Sequence, residues 1–228
     1  MNELGTKLAA GIAEMGLDMS AERQQKLLDY VGLITKWNAV HNLTAVREPL
    51  EMVTLHILDS LSVLPYIQAK NLLDVGAGAG LPSIVLAICL PDLQITAVDA
   101  VQKKVSFMRQ VKAQLKLTNL IVMHERIENF KPAEKFDVII SRAFSEIGLF
   151  VKLTEHLLTD DGKWFAMKGV IPQQEFEKSS ITPSEIKKVD GILYQQTGEF
   201  CLPRLDNSVA PLPQSHPCTW ANGQGRYE

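Results

Sequence analysis

Residues 72–82 read Leu-Leu-Asp-Val-Gly-Ala-Gly-Ala-Gly-Leu-Pro. A short apolar strand here runs into a glycine turn, and the apolar run 84–90 that follows suits a helix. Strand, glycine turn and helix in that order form a cradle for a cofactor. Leu72, Leu73 and Val75 suit a buried strand. Gly76, Gly78 and Gly80 permit positive φ and remove the side chains that would keep a ligand from the backbone. Pro82 fits the first turn of the helix, where its missing N–H costs nothing.

Spacing separates three nucleotide-type readings of this loop. A phosphate-binding Walker loop needs a Lys after its last glycine, and no Lys or Arg occurs between Lys70 and Lys103. A dinucleotide fingerprint with Gly76 and Gly78 as its first glycines needs Gly or Ala at position 81, which is Leu81. The order Asp74-x-Gly76-x-Gly78-x-Gly80 instead resembles the first motif of S-adenosylmethionine-dependent methyltransferases on the Rossmann-like fold. That cofactor has no pyrophosphate and does not demand the third close glycine approach. Residues 93–98 read as the next strand, and Asp99 at its end lies 21 positions after Gly78. An acid at roughly that distance accepts hydrogen bonds from ribose hydroxyls. Dehydrogenases place an acid there too, so Asp99 supports a ribose-bearing ligand without choosing which.

The 228 residues allow one α/β domain with an appendage. Hydrophobic content of 46% and charged content of 21% fit a globular chain, and no apolar run reaches the length of a membrane span. The N-terminus lacks a secretory pattern, which points to the cytoplasm and to no membrane. Three widely spaced cysteines form no Cys-x-x-Cys pair, and His41 and His56 belong to no ligand cluster, so no metal site is expected. Cys89, inside an apolar run, suits a small buried hydrophobe. A net charge of −3 excludes nucleic-acid binding by bulk electrostatics, so RNA contacts must come from local patches.

Three amphipathic helices, over 3–16, 20–40 and 48–64, precede the sheet, with Ser20 as an N-cap. From Asn71 the pattern alternates. Strands are expected at 71–75, 93–98, 119–123, 136–140 and 163–168, with helices near 80–90, 101–116 and 147–158. Such alternation predicts an α/β fold, a mostly parallel sheet with helices on both faces. A helix over 172–180 and strands over 186–194 and 198–202 follow. The organisation expected is an N-terminal helical cap over 1–66, a methyltransferase domain over 67–207 and an irregular tail over 208–228, where Pro211, Pro213 and Pro217 stand among polar residues.

Several blocks together carry a narrower resemblance: Lys36-Trp37-Asn38 with Asn42-Leu43-Thr44, His56-Ile57-Leu58-Asp59-Ser60, Asp74–Pro82, Ile140-Ser141-Arg142-Ala143-Phe144 and Lys168-Gly169. From about residue 20 to residue 207 the chain resembles the RsmG (GidB) family, which methylates N7 of a guanine in bacterial 16S ribosomal RNA. The resemblance implies S-adenosylmethionine as cofactor and 16S rRNA or the small ribosomal subunit as partner, and a monomer is expected. Carried onto matching positions, it implies cofactor contacts at Gly76, Leu81, Ile127, Glu128 and Arg142, beside Asp74, Gly78, Gly80 and Asp99 from the loop itself. Glu128 follows the third strand at the same sheet edge, where a carboxylate suits an adenine amino group.

Arg142 ends the fourth strand, where amino-methyltransferases carry an Asp/Asn-Pro-Pro-aromatic motif that is absent here. Guanine N7 bears a free lone pair and loses no proton before transfer, so no general base is needed. Arg142 and Lys168 are therefore read as orienting groups. Arg142 is expected to hold the cofactor's carboxylate or a substrate oxygen, or alternatively to pair with a neighbouring acid. Candidate RNA contacts are Arg47, His56, Lys103, Lys104 and Lys168. Arg109, Lys112 and Lys116 share a helix face that reads either as a solvated surface or as an RNA contact.

The chain departs from the family at Leu55 and Ser106, where basic residues are usual. It also lacks the closing Glu-Arg-His strand, since Ser-Val-Ala-Pro-Leu-Pro follows Asn207. A reading-frame change or divergence accounts for this, and a final antiparallel strand with a basic contact is expected to be lost. Two alternatives stay open: a methyltransferase for another substrate, and a chain that binds cofactor or rRNA with impaired turnover. An NAD-binding domain is disfavoured by Leu81.

Overall fold

β1 (Asn71–Val75) lies between β2 (Gln94–Asp99) and β4 (Phe136–Ser141), parallel to both. In the computed structural model, which describes residues 2–142, 144, 146–169, 173–179, 183–189 and 198–203, these strands belong to a seven-stranded sheet. Its order is β3-β2-β1-β4-β5-β7-β6, with β3 at Leu120–His124, β5 at Leu158–Lys168, β6 at Pro183–Val189 and β7 at Gly198–Pro203. β1 to β5 run parallel, while β7 is antiparallel to both of its neighbours. The order reverses between β1 and β4, so the ligand crevice of an open α/β sheet falls outside their carboxyl ends.

Strand residues alternate between two cores. Leu72, Ile95, Ala97, Val138 and Ile140 face α5 (Ser83–Cys89), α6 (Gln102–Leu115) and the N-terminal helices, all within one core. Leu73, Val75, Val98 and Ile139 face α7 (Ile147–Thr154) and Phe176 of α8 (Gln173–Ser179). α1 (Glu3–Glu14) is capped by the Asn2 side chain and α2 (Ala21–His41) by Ser20, whose Oγ accepts from Arg23 N at 3.3 Å. Leu8, Leu27 and Ile34 of these helices are fully buried in the core shared with Leu72 and Ile95. The cap is thus built onto the sheet.

Three expectations are corrected. The single helix over 48–64 is α3 (Pro49–Met52), a π-helical turn (Val53–Leu58), α4 (Asp59–Leu61) and a 3₁₀ turn (Leu64–Tyr66). The helix over 147–158 stops at Thr154, and after a 3₁₀ turn (Glu155–Leu157) β5 begins at Leu158 instead of 163. Leu158 pairs with Phe136 before a register shift brings Lys163 beside Val138. Thr154, fully buried, accepts from Trp164 Nε1 at 2.9 Å and ties the helix end to the strand. The strand expected over 198–202 is β7, antiparallel to β5, whereas the expected loss of a closing strand concerns the chain after Asn207 and lies outside the described residues. The tail over 208–228 and positions 190–194 lie outside the described residues. Among the described residues no helix is long and apolar enough to cross a membrane.

Candidate functional site

Gly76, Gly78 and Gly80 all adopt left-handed backbone, with φ of +69°, +62° and +91°. They do so for different reasons. A Cβ on Gly76 meets nothing within 4 Å, and one on Gly78 meets only the Gly76 carbonyl at 3.9 Å, so both border open crevice. A Cβ on Gly80 lies 2.3 Å from Ile84 Cδ1 and 3.3 Å from Met108 Cγ. Gly80 is therefore small for packing against α5 and α6. The turn is closed by Gly80 N and Leu81 N donating to the Ala77 carbonyl at 2.8 and 3.0 Å. Leu81 itself is buried in the core that it shares with α5.

Asp74 is fully buried beneath the loop, and its Oδ2 accepts from Ser83 N at 3.0 Å, fixing the start of α5. Its Oδ1 has no hydrogen-bond partner. Burial pushes the carboxyl up to about 6, against the pull of Ser83 and the Arg142 charge. Asp99 stands across the loop. Its Oδ2 accepts from Gly78 N and its Oδ1 from Val101 N, each at 2.8 Å. Each carboxylate oxygen keeps a second acceptor direction.

Beyond β3, the 3₁₀ turn Ile127–Asn129 places Glu128 half-exposed, 3.9 Å from Arg126 Nε, while Ile127 is buried in the second core. Arg142 follows β4 and reaches the cap. Its Nη1 donates to the Leu55 carbonyl and to Asp59 Oδ2, both at 3.1 Å. Burial raises the pKa of Asp59 while the Arg142 charge lowers it. The crevice rim thus carries Gly76, Gly78, Asp99, Glu128 and Arg142, from four successive strand ends.

His56, in the π-helical turn, is 5% exposed, and its Nε2 lies 2.8 Å from Thr44 Oγ1. Thr44 N donates to Asn38 Oδ1, and Asn38 Nδ2 donates to the Val46 carbonyl, both at 3.0 Å. The blocks around Asn38, Thr44 and His56 are one hydrogen-bonded assembly. Burial pushes the imidazole down to about 4, helped by the Arg142 charge, so His56 is neutral near pH 7. Its Nδ1 has no partner. Arg47 is exposed and donates to Asn42 Oδ1 at 2.7 Å, on a residue whose φ of +46° ends α2.

Lys103 is exposed and Lys104 half-buried in the first turn of α6, directly after Asp99. Lys168 stands differently from a free cleft cation. Its Nζ donates to the Phe144 carbonyl at 3.0 Å and to both Glu175 oxygens at 3.1 Å, with 15% of the side chain exposed. Glu175 also accepts from Ile147 N at 2.8 Å, so this pair joins β5, α8 and the start of α7 around the segment after Arg142. Cys89 is buried as expected, its thiol pushed up to about 12. Among the described residues no group of His, Cys, Asp or Glu is arranged to hold a metal.

Three residues escaped the sequence reading. Tyr30 on α2 is fully buried and donates to the Ala79 carbonyl at 2.8 Å, latching the cap to the glycine loop. Asp59 and Glu175 hold Arg142 and Lys168. Tyr30 lies within the apolar face of α2 and Asp59 within His56-Ile57-Leu58-Asp59-Ser60, but nothing local pairs them with partners 49 and 83 residues away.

A family model for rRNA small subunit methyltransferase G (GidB) matches residues 23–194. The chain is 62% identical over 180 residues to the ribosomal RNA small subunit methyltransferase G of Methylobacillus flagellatus, covering 79% of this chain and 88% of that one. It is 51% identical over 172 residues to the protein of the same name from Laribacter hongkongensis, covering 75% and 83%. Among solved structures it resembles a coclaurine N-methyltransferase bound to N-methylheliamine and SAH, with a TM-score of 0.53, 15% identity and coverage of 82% and 71%. It also resembles the N-methyltransferase NodS of Bradyrhizobium japonicum in complex with S-adenosyl-L-homocysteine, with a TM-score of 0.52, 13% identity and coverage of 75% and 98%. These two likenesses show the Rossmann-like methyltransferase fold.

Proposed function

The chain belongs to the rRNA small subunit methyltransferase G family, and from that premise we propose that it transfers the methyl group of S-adenosylmethionine to N7 of a guanine in bacterial 16S rRNA. The observation that carries the reading is the open, left-handed pair Gly76 and Gly78, joined through the Gly78 amide to Asp99. The residues fit the cofactor. Gly76 and Gly78 leave room along the backbone, Asp99 retains acceptor directions for two ribose hydroxyls, and Glu128 offers a carboxylate to the adenine amino group. Leu81 and Ile127, both buried, contribute backbone at the crevice edge. Asp74 and Gly80 act from beneath, one fixing the start of α5 and the other its approach.

When bound, the cofactor supplies a methyl on a sulfonium; the N7 lone pair forms the new N–C bond as the S–C bond breaks. No proton leaves first, and accordingly the rim needs no general base. The task left to the protein is in-line positioning, worth several kcal/mol when geometry is good. Arg142 serves it by holding the cofactor's carboxylate or a substrate oxygen. Arg47, Lys103 and Lys104 supply phosphate contacts around the crevice. His56 supports the substrate-facing cap from within, and Lys168 orders the segment after Arg142. Residues 1–66 act as the cap, residues 67–207 carry the chemistry, and the rRNA substrate puts the work in the cytoplasm.

The test is incubation of the purified chain with methyl-labelled S-adenosylmethionine and small ribosomal subunits from cells lacking the modification. Label is expected at a guanine N7 of 16S rRNA. Cofactor binding without label would overturn this reading in favour of binding with impaired turnover, which the altered sequence after Asn207 favours.

A further inference from the structure

The Arg142 guanidinium is directed by the cap. Two acceptors from one stretch of the cap, the Leu55 carbonyl and Asp59 Oδ2, each lie 3.1 Å from Nη1. The π-helical turn makes this possible. In a regular α-helix the Asp59 amide would bond the Leu55 carbonyl, four residues back. Here it donates to the Thr54 and His56 carbonyls instead, and does not occupy that of Leu55. A guanidinium is a planar fork, so fixing one terminal nitrogen with two acceptors fixes the plane and the aim of the remaining donors.

Magnitude argues against a purely stabilising role. The side chains of Arg142 and Asp59 are 26% and 39% exposed, so the pair is partly solvated and its contribution to stability is modest. The same contact does decide where the charge stands relative to β1 and β4. Arg142 directly follows β4 and reaches Leu55 and Asp59, so its charge stands where the end of β4 meets the cap.

We propose that Asp59, with the Leu55 carbonyl beside it, is a positioning residue that sets Arg142 over the crevice, so that the cap contributes to the geometry of methyl transfer. The proposal rests on the role of Arg142 in the reading above. Its test is a double-mutant cycle with Asp59→Asn and Arg142→Gln, reading S-adenosylmethionine Kd, kcat on small subunits, KM for subunits and thermal midpoint. Asp59→Asn is expected to weaken cofactor binding or lower kcat about tenfold, with KM for subunits little changed. Asp59→Glu is expected to recover most of the loss, and the double variant to be no worse than Arg142→Gln alone. Additive effects, or a lowered midpoint with Kd and kcat unchanged, would overturn it. Asp59→Ser enters the same cycle if Asp59→Asn does not fold. Failure of wild-type protein to label N7 would count against the reaction, whereas the cofactor Kd values still decide the Asp59 placement.

Discussion

The three glycines of the loop look alike in sequence and differ in consequence. Gly78→Ala adds a methyl that meets only the Gly76 carbonyl at 3.9 Å, at a φ of +62°. It is expected to cost stability about 1–2 kcal/mol for the left-handed backbone and to weaken cofactor binding by intruding on the crevice. Gly80→Ala places its methyl 2.3 Å from Ile84 Cδ1 at a φ of +91°, so overpacking adds to backbone strain, about 2–4 kcal/mol together. Urea unfolding and calorimetric titration with S-adenosylmethionine separate the two. Equal loss of stability with equal loss of affinity would refute the division. The spacing Asp-x-Gly-x-Gly-x-Gly made the cradle legible because backbone conformation is a local property. Which glycine faces ligand and which faces Ile84 depends on how α5 and α6 approach, and the loop's own residues do not encode that.

The five parallel strands and their helices were legible because strand and helix periods differ and each element is long enough to show its own. Helix ends were less so: the apolar pattern over 147–158 persists through Leu157 and Leu158, though those residues already turn into and join β5. The π-helical turn was hidden for the same reason, since its extra residue leaves an apolar run unbroken. The latch of α2 on the glycine loop is a contact across 49 residues. Tyr30→Phe leaves the Ala79 carbonyl without its buried donor and is expected to cost about 1–3 kcal/mol, with a modest loss of cofactor affinity through a looser loop. An unchanged unfolding midpoint and an unchanged Kd would show that packing alone holds α2 there. In the proposed function the first turn of α6 carries the electrostatic part of the site. With a net charge of −3, few phosphate contacts are available, so the dependence of RNA binding on salt should be shallow. Lys103→Ala and Lys104→Ala are each expected to reduce the slope of log K against log salt by about 1 at most, leaving cofactor Kd unchanged. Slopes equal to wild type in both variants would remove α6 from the RNA face.

At the scale of the whole molecule, two buried groups on the cap side of the sheet oppose each other in acid. His56 has its pKa lowered from 6.5 to about 4, so it contributes stability that is present above pH 6.5 and lost as pH falls through 4. Asp74 has its pKa raised from 3.8 to about 6, so its contribution is full below pH 3.8 and lost as pH rises through 6. Between about pH 4 and 6 the unfolded chain binds roughly one proton more at His56 and one fewer at Asp74, and the two slopes cancel. Asp74→Asn removes one side of that balance while keeping an oxygen for Ser83 N to bond. The variant is expected to gain stability relative to wild type as pH rises from 4 to 6, with a slope approaching 1.4 kcal/mol per pH unit, about the value for one proton, and to level off above that window. Carboxylates elsewhere titrate alike in both proteins, so the difference between their urea unfolding curves isolates Asp74. A difference that does not change with pH would mean that the Asp74 carboxyl titrates normally beneath the loop, and that the start of α5 is held by a solvated charge instead of a buried acid.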